Sequence, residues 1–227
     1  GGNTHIHKFE FRSDPKFGNY QASGTVRGNV KDQFSLDEKD GFLRIATTEQ
    51  RNYYTADKVY VQPDSQVPEK GAPAPARPQS VSHVFVLGQQ GAWLGVQGDA
   101  GDLAPNEQIY SVRFVESRGY VVTFRQVDPL FVLDLTAPQK PTVVGELTIP
   151  GFSEYMHPLD AGHLLTIGRD ENRQLALQIF DVTNAANPQR TFITAYTGGD
   201  YGSSDAEYDH KAFTYFDDRK LLAFIET

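Results

Sequence analysis

At 227 residues, with 39% hydrophobic and 12% aromatic side chains, the chain has enough apolar material for a packed core, in one large β domain or two small ones. A net charge of −8 and a pI near 5.2 exclude a broad basic footprint for nucleic acid. There is no cysteine, so disulfides, thiolate metal sites and cysteine nucleophiles are ruled out, and no apolar run approaches membrane-spanning length.

The chain begins Gly1-Gly2-Asn3, without a Met or a signal-peptide pattern, as expected of a processed product or a piece of something longer. His5 to Phe11 alternates loosely, with Ile6, Phe9 and Phe11 as its apolar positions, and Tyr20 to Val26 follows. These read as the third and fourth strands of a sheet unit whose first two are missing. Phe34-Ser35-Leu36 and Gly41 to Thr48 open the next unit, joined through Asp40-Gly41, a pair that supplies the positive φ of a tight hairpin. Gln62 to Ser80 carries five of the 13 prolines and no apolar anchor, which predicts an extended loop inserted between two strands. Val81 to Leu87 and Ala92 to Val96 complete that unit, and a Gly- and Asp-rich connection runs from Gly98 to Glu107.

Ile109 to Val115 and Tyr120 to Ile149 supply a whole unit. Its β-branched and aromatic runs are stopped by Asp128-Pro129, by Pro138 with Pro141, and by Pro150-Gly151. Prolines interrupt every helical window. Tyr155 to Leu159, His163 to Ile167, Leu175 to Val182 and Thr191 to Tyr196 make another unit. Tyr208 to Phe216 and Lys220 to Ile225 are the first two strands of a last one.

The units repeat. Val132-Leu133-Asp134-Leu135-Thr136 with Pro141 recurs as Ile179-Phe180-Asp181-Val182-Thr183 with Pro188, and 47 positions separate the two aspartates. Val84 to Gly88 stands 46 positions before the first of them, with Gly88 in the Asp place. A period in the forties with four strands per period predicts an all-β chain of propeller blades. A lone four-stranded sheet cannot bury both faces, so blades stack about an axis. The order is half a unit, three whole units and half a unit. The ends either pair into a composite blade or belong to a segment of a larger propeller, and the second reading is preferred. Residues 1–227 are thus read as one propeller domain or a segment of one.

The blocks Gln33-Phe34-Ser35, Gly41 to Thr48, Ile109 to Phe114, Val122 to Leu130, Ile149 to Tyr155, Phe180-Asp181-Val182 and Tyr208 to Phe213 occur in one order across nearly the whole chain. In them the sequence resembles the secreted bacterial and archaeal proteins with a C-terminal β-propeller domain distantly related to WD repeats. That resemblance implies a propeller in a secreted or extracytoplasmic protein longer than this chain; it supplies no reaction. The chain departs from it at Gly88 and in the proline-rich insertion. Without a side-chain acceptor, Gly88 cannot close an Asx-turn, so that corner is expected to be built differently.

Candidate chemistry gathers in few places. Asp209-His210-Lys211 could orient a general base or a metal ligand, or simply brace a neighbouring strand. His157 occupies a similar register one unit earlier, so a His157–His210 pair facing the channel is a candidate metal site. Arg125 and Asp128 flank a hairpin, either pairing there or reading carboxylates and sugars at a rim. Asp99, Asp102 and Glu107, with Asn106, offer hard oxygen ligands for Ca²⁺ without the EF-hand spacing, and no other cofactor is implied. Neither Ser203 nor Ser204 stands in a nucleophile elbow. The reading that follows is a non-catalytic extracytoplasmic binding or scaffold module, recognising a protein or glycan through its blade loops. The alternatives are a hydrolase- or lyase-like enzyme with a His/carboxylate site at the channel mouth, and a structural subunit of a surface assembly whose missing strands come from a partner.

Overall fold

The computed structural model describes residues 2–11, 18–51, 78–124, 128–196 and 202–226. Strands β1 (Asn3–Phe11) and β2 (Gly18–Arg27) form a hairpin. Four-stranded antiparallel blades follow. The first is β3 (Leu36–Lys39), β4 (Phe42–Gln50), β5 (Ser80–Gln90) and β6 (Trp93–Leu103). The second is β7 (Gln108–Val115), β8 (Arg118–Phe124), β9 (Asp128–Asp134) and β10 (Thr142–Ile149). The third is β11 (Phe152–Pro158), β12 (His163–Arg169), β13 (Leu175–Asp181) and β14 (Gln189–Ala195). A closing hairpin joins β15 (Phe213–Phe216) to β16 (Leu221–Phe224). The second and third blades and the closing hairpin follow the repeat, but the first hairpin is not a separate half unit. Strand β2 adds to the outer strand β6 through a parallel bridge from Ser23 to Trp93, giving one six-stranded sheet in the order β1-β2-β6-β5-β4-β3.

The strand period of two explains the stacking. In β8, Val121 packs with Val84, Ala100 and Phe114 at the interface of the first and second blades. Its neighbours Tyr120 and Val122 point the other way, onto Met156, Leu164 and Phe180 of the third blade. In β12 the same alternation sends Leu164 to the second blade and Leu165 with Ile167 to Phe213. Ile6, Ala22 and Val26 seat the first hairpin on Ile45, Phe85 and Leu87. Each of these large side chains contributes about 1.5–3 kcal/mol by leaving water.

Glycines on the outer strands let the blades approach. A Cβ on Gly145 would lie 1.9 Å from the Ala185 carbonyl oxygen, and one on Gly98 would lie 2.4 Å from that of Pro138. Both partners belong to the corner that follows the repeated aspartate. Asp134 accepts from the Thr136 amide at 2.9 Å, and Asp181 from the Thr183 amide at 2.9 Å, so each corner is an Asx-turn. At the Gly88 position the chain does depart: β5 continues to Gln90 and turns through Gly91 at φ 61°. That turn delivers Leu94 against Gly24 of β2, where a Cβ would lie 2.4 Å from the Leu94 carbonyl oxygen.

Several local expectations are corrected. Gln33–Ser35 is a 3₁₀ turn capped by Asp32, not the start of a strand. Tyr208 to Ala212 is not extended either, because Ser204 and Asp209 cap successive 3₁₀ turns and β15 begins only at Phe213. The Gly98 to Glu107 connection is shorter than read, since β6 runs to Leu103 and places Asp99 and Asp102 in the strand. Most of the proline-rich insertion lies outside the described residues; its far end is already strand at Ser80.

Candidate functional site

The segments leading into β3 and β15 meet each other and the inner strands β7 and β11. Phe34 sits at their centre. The Arg113 guanidinium of β7 lies 4.0 Å from the centre of its ring, Tyr155 of β11 packs at 5.3 Å, and His210 meets it edge-on at 5.2 Å. Arg113 donates from Nε and Nη2 to the Met156 carbonyl at 2.8 and 2.6 Å, and burial lowers its pKa. This aromatic and guanidinium packing plugs the space between Phe34, β7, β11 and His210.

Around the plug stand ion pairs between blades. Lys31 reaches Glu154 at 3.2 Å, donates to the Tyr110 carbonyl, and lies 5.0 Å from the Tyr110 ring centre. Burial pushes the Glu154 carboxyl up, and Lys31 only partly offsets it. Glu207, whose side chain is almost fully buried, takes a bidentate pair from Arg169, Nε to Oε1 and Nη2 to Oε2, both at 2.7 Å. The same carboxylate accepts from the Ser204 amide at 3.1 Å in a capping box. A cleft of about 360 Å³ opens beside Phe34, Tyr155 and His210. A second of about 480 Å³ opens beside Tyr110 and Gln108, and the two share Lys31, Glu154 and Tyr208.

The residues singled out in the sequence are only partly gathered here. His210 lines the first cleft, and the Gln33 amide donates to its ring at 3.0 Å. Asp209 does not orient it. The Asp209 carboxylate caps the Lys211 amide at 2.9 Å and stands 3.8 Å from the His210 ring, beyond hydrogen-bond reach. Lys211 is exposed. His157 lies against Phe213 and Tyr215, with ring centres 5.4 and 5.0 Å away, and burial followed by the Arg113 charge lowers its pKa. A run of rings, Phe34, Tyr155 and Phe213, stands between the two histidines. Arg125 and the side chain of Asp128 lie outside the described residues.

The three carboxylates considered for Ca²⁺ are likewise apart. Asp99 pairs with Arg27 at 3.3 Å and with His83 Nδ1 at 3.2 Å, Asp102 with Arg51 at 3.1 Å, and Glu107 accepts from the Thr123 hydroxyl at 2.5 Å. Among the described residues no group of three or more His, Asp or Glu side chains is placed to hold a metal.

Sequence reasoning missed the buried His83, whose Nε2 faces Glu49 at 3.3 Å while its ring stacks on Phe85 at 5.0 Å. Burial raises the Glu49 pKa, and hydrogen bonds from Arg51 and His83 outweigh it, leaving the carboxyl below its ordinary value. Lys31, Phe34, Glu154, Glu207 and Tyr208 were also missed as site residues. One signal was present: Ser204-Asp205-Ala206-Glu207 has the spacing of a capping box and marks the lead-in to β15 as a turn.

Comparison with known proteins agrees with the fold. A family model described as "Beta propeller domain" matches residues 1–226. An uncharacterized protein of Archaeoglobus fulgidus is 36% identical over 186 residues, covering 82% of this chain and 24% of the relative. An uncharacterized protein of Methanocaldococcus jannaschii is 33% identical over 167 residues, covering 74% of this chain and 23% of the relative. The chain therefore spans about a quarter of the length of these relatives. With blades, corners and family match in agreement, the chain belongs to the Beta propeller domain family.

Proposed function

We propose that the chain is a non-catalytic binding or scaffold module of an extracytoplasmic protein, recognising a protein or glycan through the loops at the end of the axis where the inner strands begin. The observation that carries this reading is the dispersal of the candidate chemistry. His210 is held by Gln33 and Phe34, His157 by Phe213 and Tyr215, and Asp209 by a backbone amide, so among the described residues these three candidates do not converge on one point. Tyr208 stands at the rim with 79% of its surface exposed. Rigid blades with such side chains on their connecting segments suit recognition.

The experiment is a binding screen of the chain against arrayed glycans and purified envelope proteins, with Tyr208→Ala and His210→Ala beside it. The binding reading expects a ligand that is retained in chelator, released unchanged, and lost with Tyr208→Ala. A ligand chemically converted by the chain, with conversion abolished by His210→Ala, supports the enzyme alternative instead. Extracytoplasmic placement is checked by locating the natural protein in fractionated cells.

A structural-subunit role rests on a different observation. The outward face of β15–β16 leaves Phe216, Leu221 and Ile225 exposed, and β1 exposes Phe9 and Phe11. Assembly through these faces predicts a mass in solution that rises with concentration and falls on Leu221→Lys.

A further inference from the structure

The two clefts at the rim form one groove, bridged by the Lys31–Glu154 pair and overhung by Tyr208. Its lobes, of about 360 and 480 Å³, each fall within the range of small-molecule sites. The character of the lining restricts the occupant. Every charge in it is already answered within the protein. Lys31 and Glu154 neutralise each other, Glu207 is held by Arg169, and the Asp32 carboxylate accepts from the Phe34 and Ser35 amides at 2.9 and 3.2 Å. An ionic ligand gains no uncompensated partner there, and a polyanion is further opposed by the net charge of −8.

What the groove does offer is neutral hydrogen bonding beside aromatic surface. Asn29, Gln50 and Gln108 line the second lobe with exposed amide side chains that make no hydrogen bond among the described residues. Each amide presents a donor and an acceptor side by side, which matches a hydroxyl that must both give and receive. The Tyr208 ring supplies an amphipathic face, apolar across the ring and polar at its tip. Resting on the binding-module reading above, we infer that the ligand is a neutral oligosaccharide, lying along the groove with sugar units on both sides of the Lys31–Glu154 bridge. Its hydroxyls bond the amide cluster and the C–H face of a sugar ring stacks on Tyr208.

The test uses the full chain with defined probes. Hexasaccharides of β-linked glucose, β-linked N-acetylglucosamine and α-linked mannose are titrated by calorimetry and saturation-transfer NMR. The matching monosaccharides serve as length controls, and hexalysine and hexaglutamate as charge controls. The groove predicts that at least one hexasaccharide binds, that its monosaccharide binds more weakly, and that Tyr208→Ala weakens binding about tenfold. Gln108→Ala, in the amide cluster of the second lobe, is expected to weaken it independently, while the circular dichroism of both variants stays that of the parent.

The inference is overturned if no hexasaccharide binds at millimolar concentration, or if the one that binds is indifferent to both substitutions. It is overturned too if hexalysine binds in its place and is lost with Tyr208→Ala, an outcome that leaves the binding-module reading standing. Cleavage of a bound hexasaccharide has the converse meaning: the groove is a glycan site, and the non-catalytic reading fails.

Discussion

His157 and His210 carry the same side chain into different surroundings, and those surroundings decide what each can do. His210 touches the cleft. His157 is pressed among Tyr155, Phe213 and Tyr215, and burial with the Arg113 charge holds its imidazole below the ordinary value of about 6.5. A lowered folded value means that folding favours the neutral ring. The resulting stability is complete above about pH 6.5 and is lost as pH falls through the folded pKa. His157→Gln is therefore expected to flatten that part of the stability–pH curve, measured by urea unfolding across the range. An unaltered acid loss in the variant would assign the titration to another group. Glu154 has the opposite sign: its raised folded pKa makes its ionisation unfavourable to folding, so Glu154→Gln is expected to remove a loss of stability on the rising-pH side.

The corners and outer strands are the elements that make blades interlock. Gly145→Ala drives a Cβ into the Ala185 carbonyl and is expected to cost about 1–3 kcal/mol, read as a shift in the urea midpoint. A fully stable Gly145→Ala protein would mean that the second and third blades are farther apart than described. Gly88→Asp is the informative companion. The repeat alone suggests that Asp restores a consensus corner. Here β5 runs through that position, and a Cβ meets Gln97 at 3.1 Å and the Phe42 ring at 3.3 Å, so the substitution is expected to destabilise.

Much of this element scale was legible in the sequence, because strand period, proline stops and the Asp134–Asp181 spacing are local signals. The irregular corner at Gly88 was legible for the same reason. The lead-in turns were not read, since Phe34-Ser35 and Tyr208 to Ala212 run directly into the strands at Leu36 and Phe213 while Asp32, Ser204 and Asp209 set turns by capping. The Asp99–Asp102 segment was misread for the converse reason. Its Gly and Asp residues look like a loop, yet β5 pairs with it and His83 and Arg27 hold Asp99. The rim groove was illegible, because Lys31, Tyr110, Glu154 and Tyr208 are far apart in the chain and meet only through the fan.

At the scale of the molecule, the second and third blades each bury one face on the previous sheet and one on the next. The first blade's far face is covered by the β1–β2 hairpin of its own curled sheet. The fan turns tightly enough that the lead-in of the first blade touches the inner strand of the third and the lead-in of the closing hairpin. Lys31 meets Glu154, Phe34 meets Tyr155, and Gln33 meets His210 across 177 residues of sequence. The groove, the Phe34 plug and the dispersed histidines all depend on that turn. Because the chain has no cysteine, Gln33→Cys with His210→Cys gives two unique sites for spin labels without further engineering. Dipolar broadening of the continuous-wave spectrum of the doubly labelled protein, against the sum of the two singly labelled ones, measures the turn directly. A tightly turned fan predicts strong broadening, as for labels on neighbouring side chains; a spectrum that equals the sum, as for the two ends of a wide arc, would contradict it.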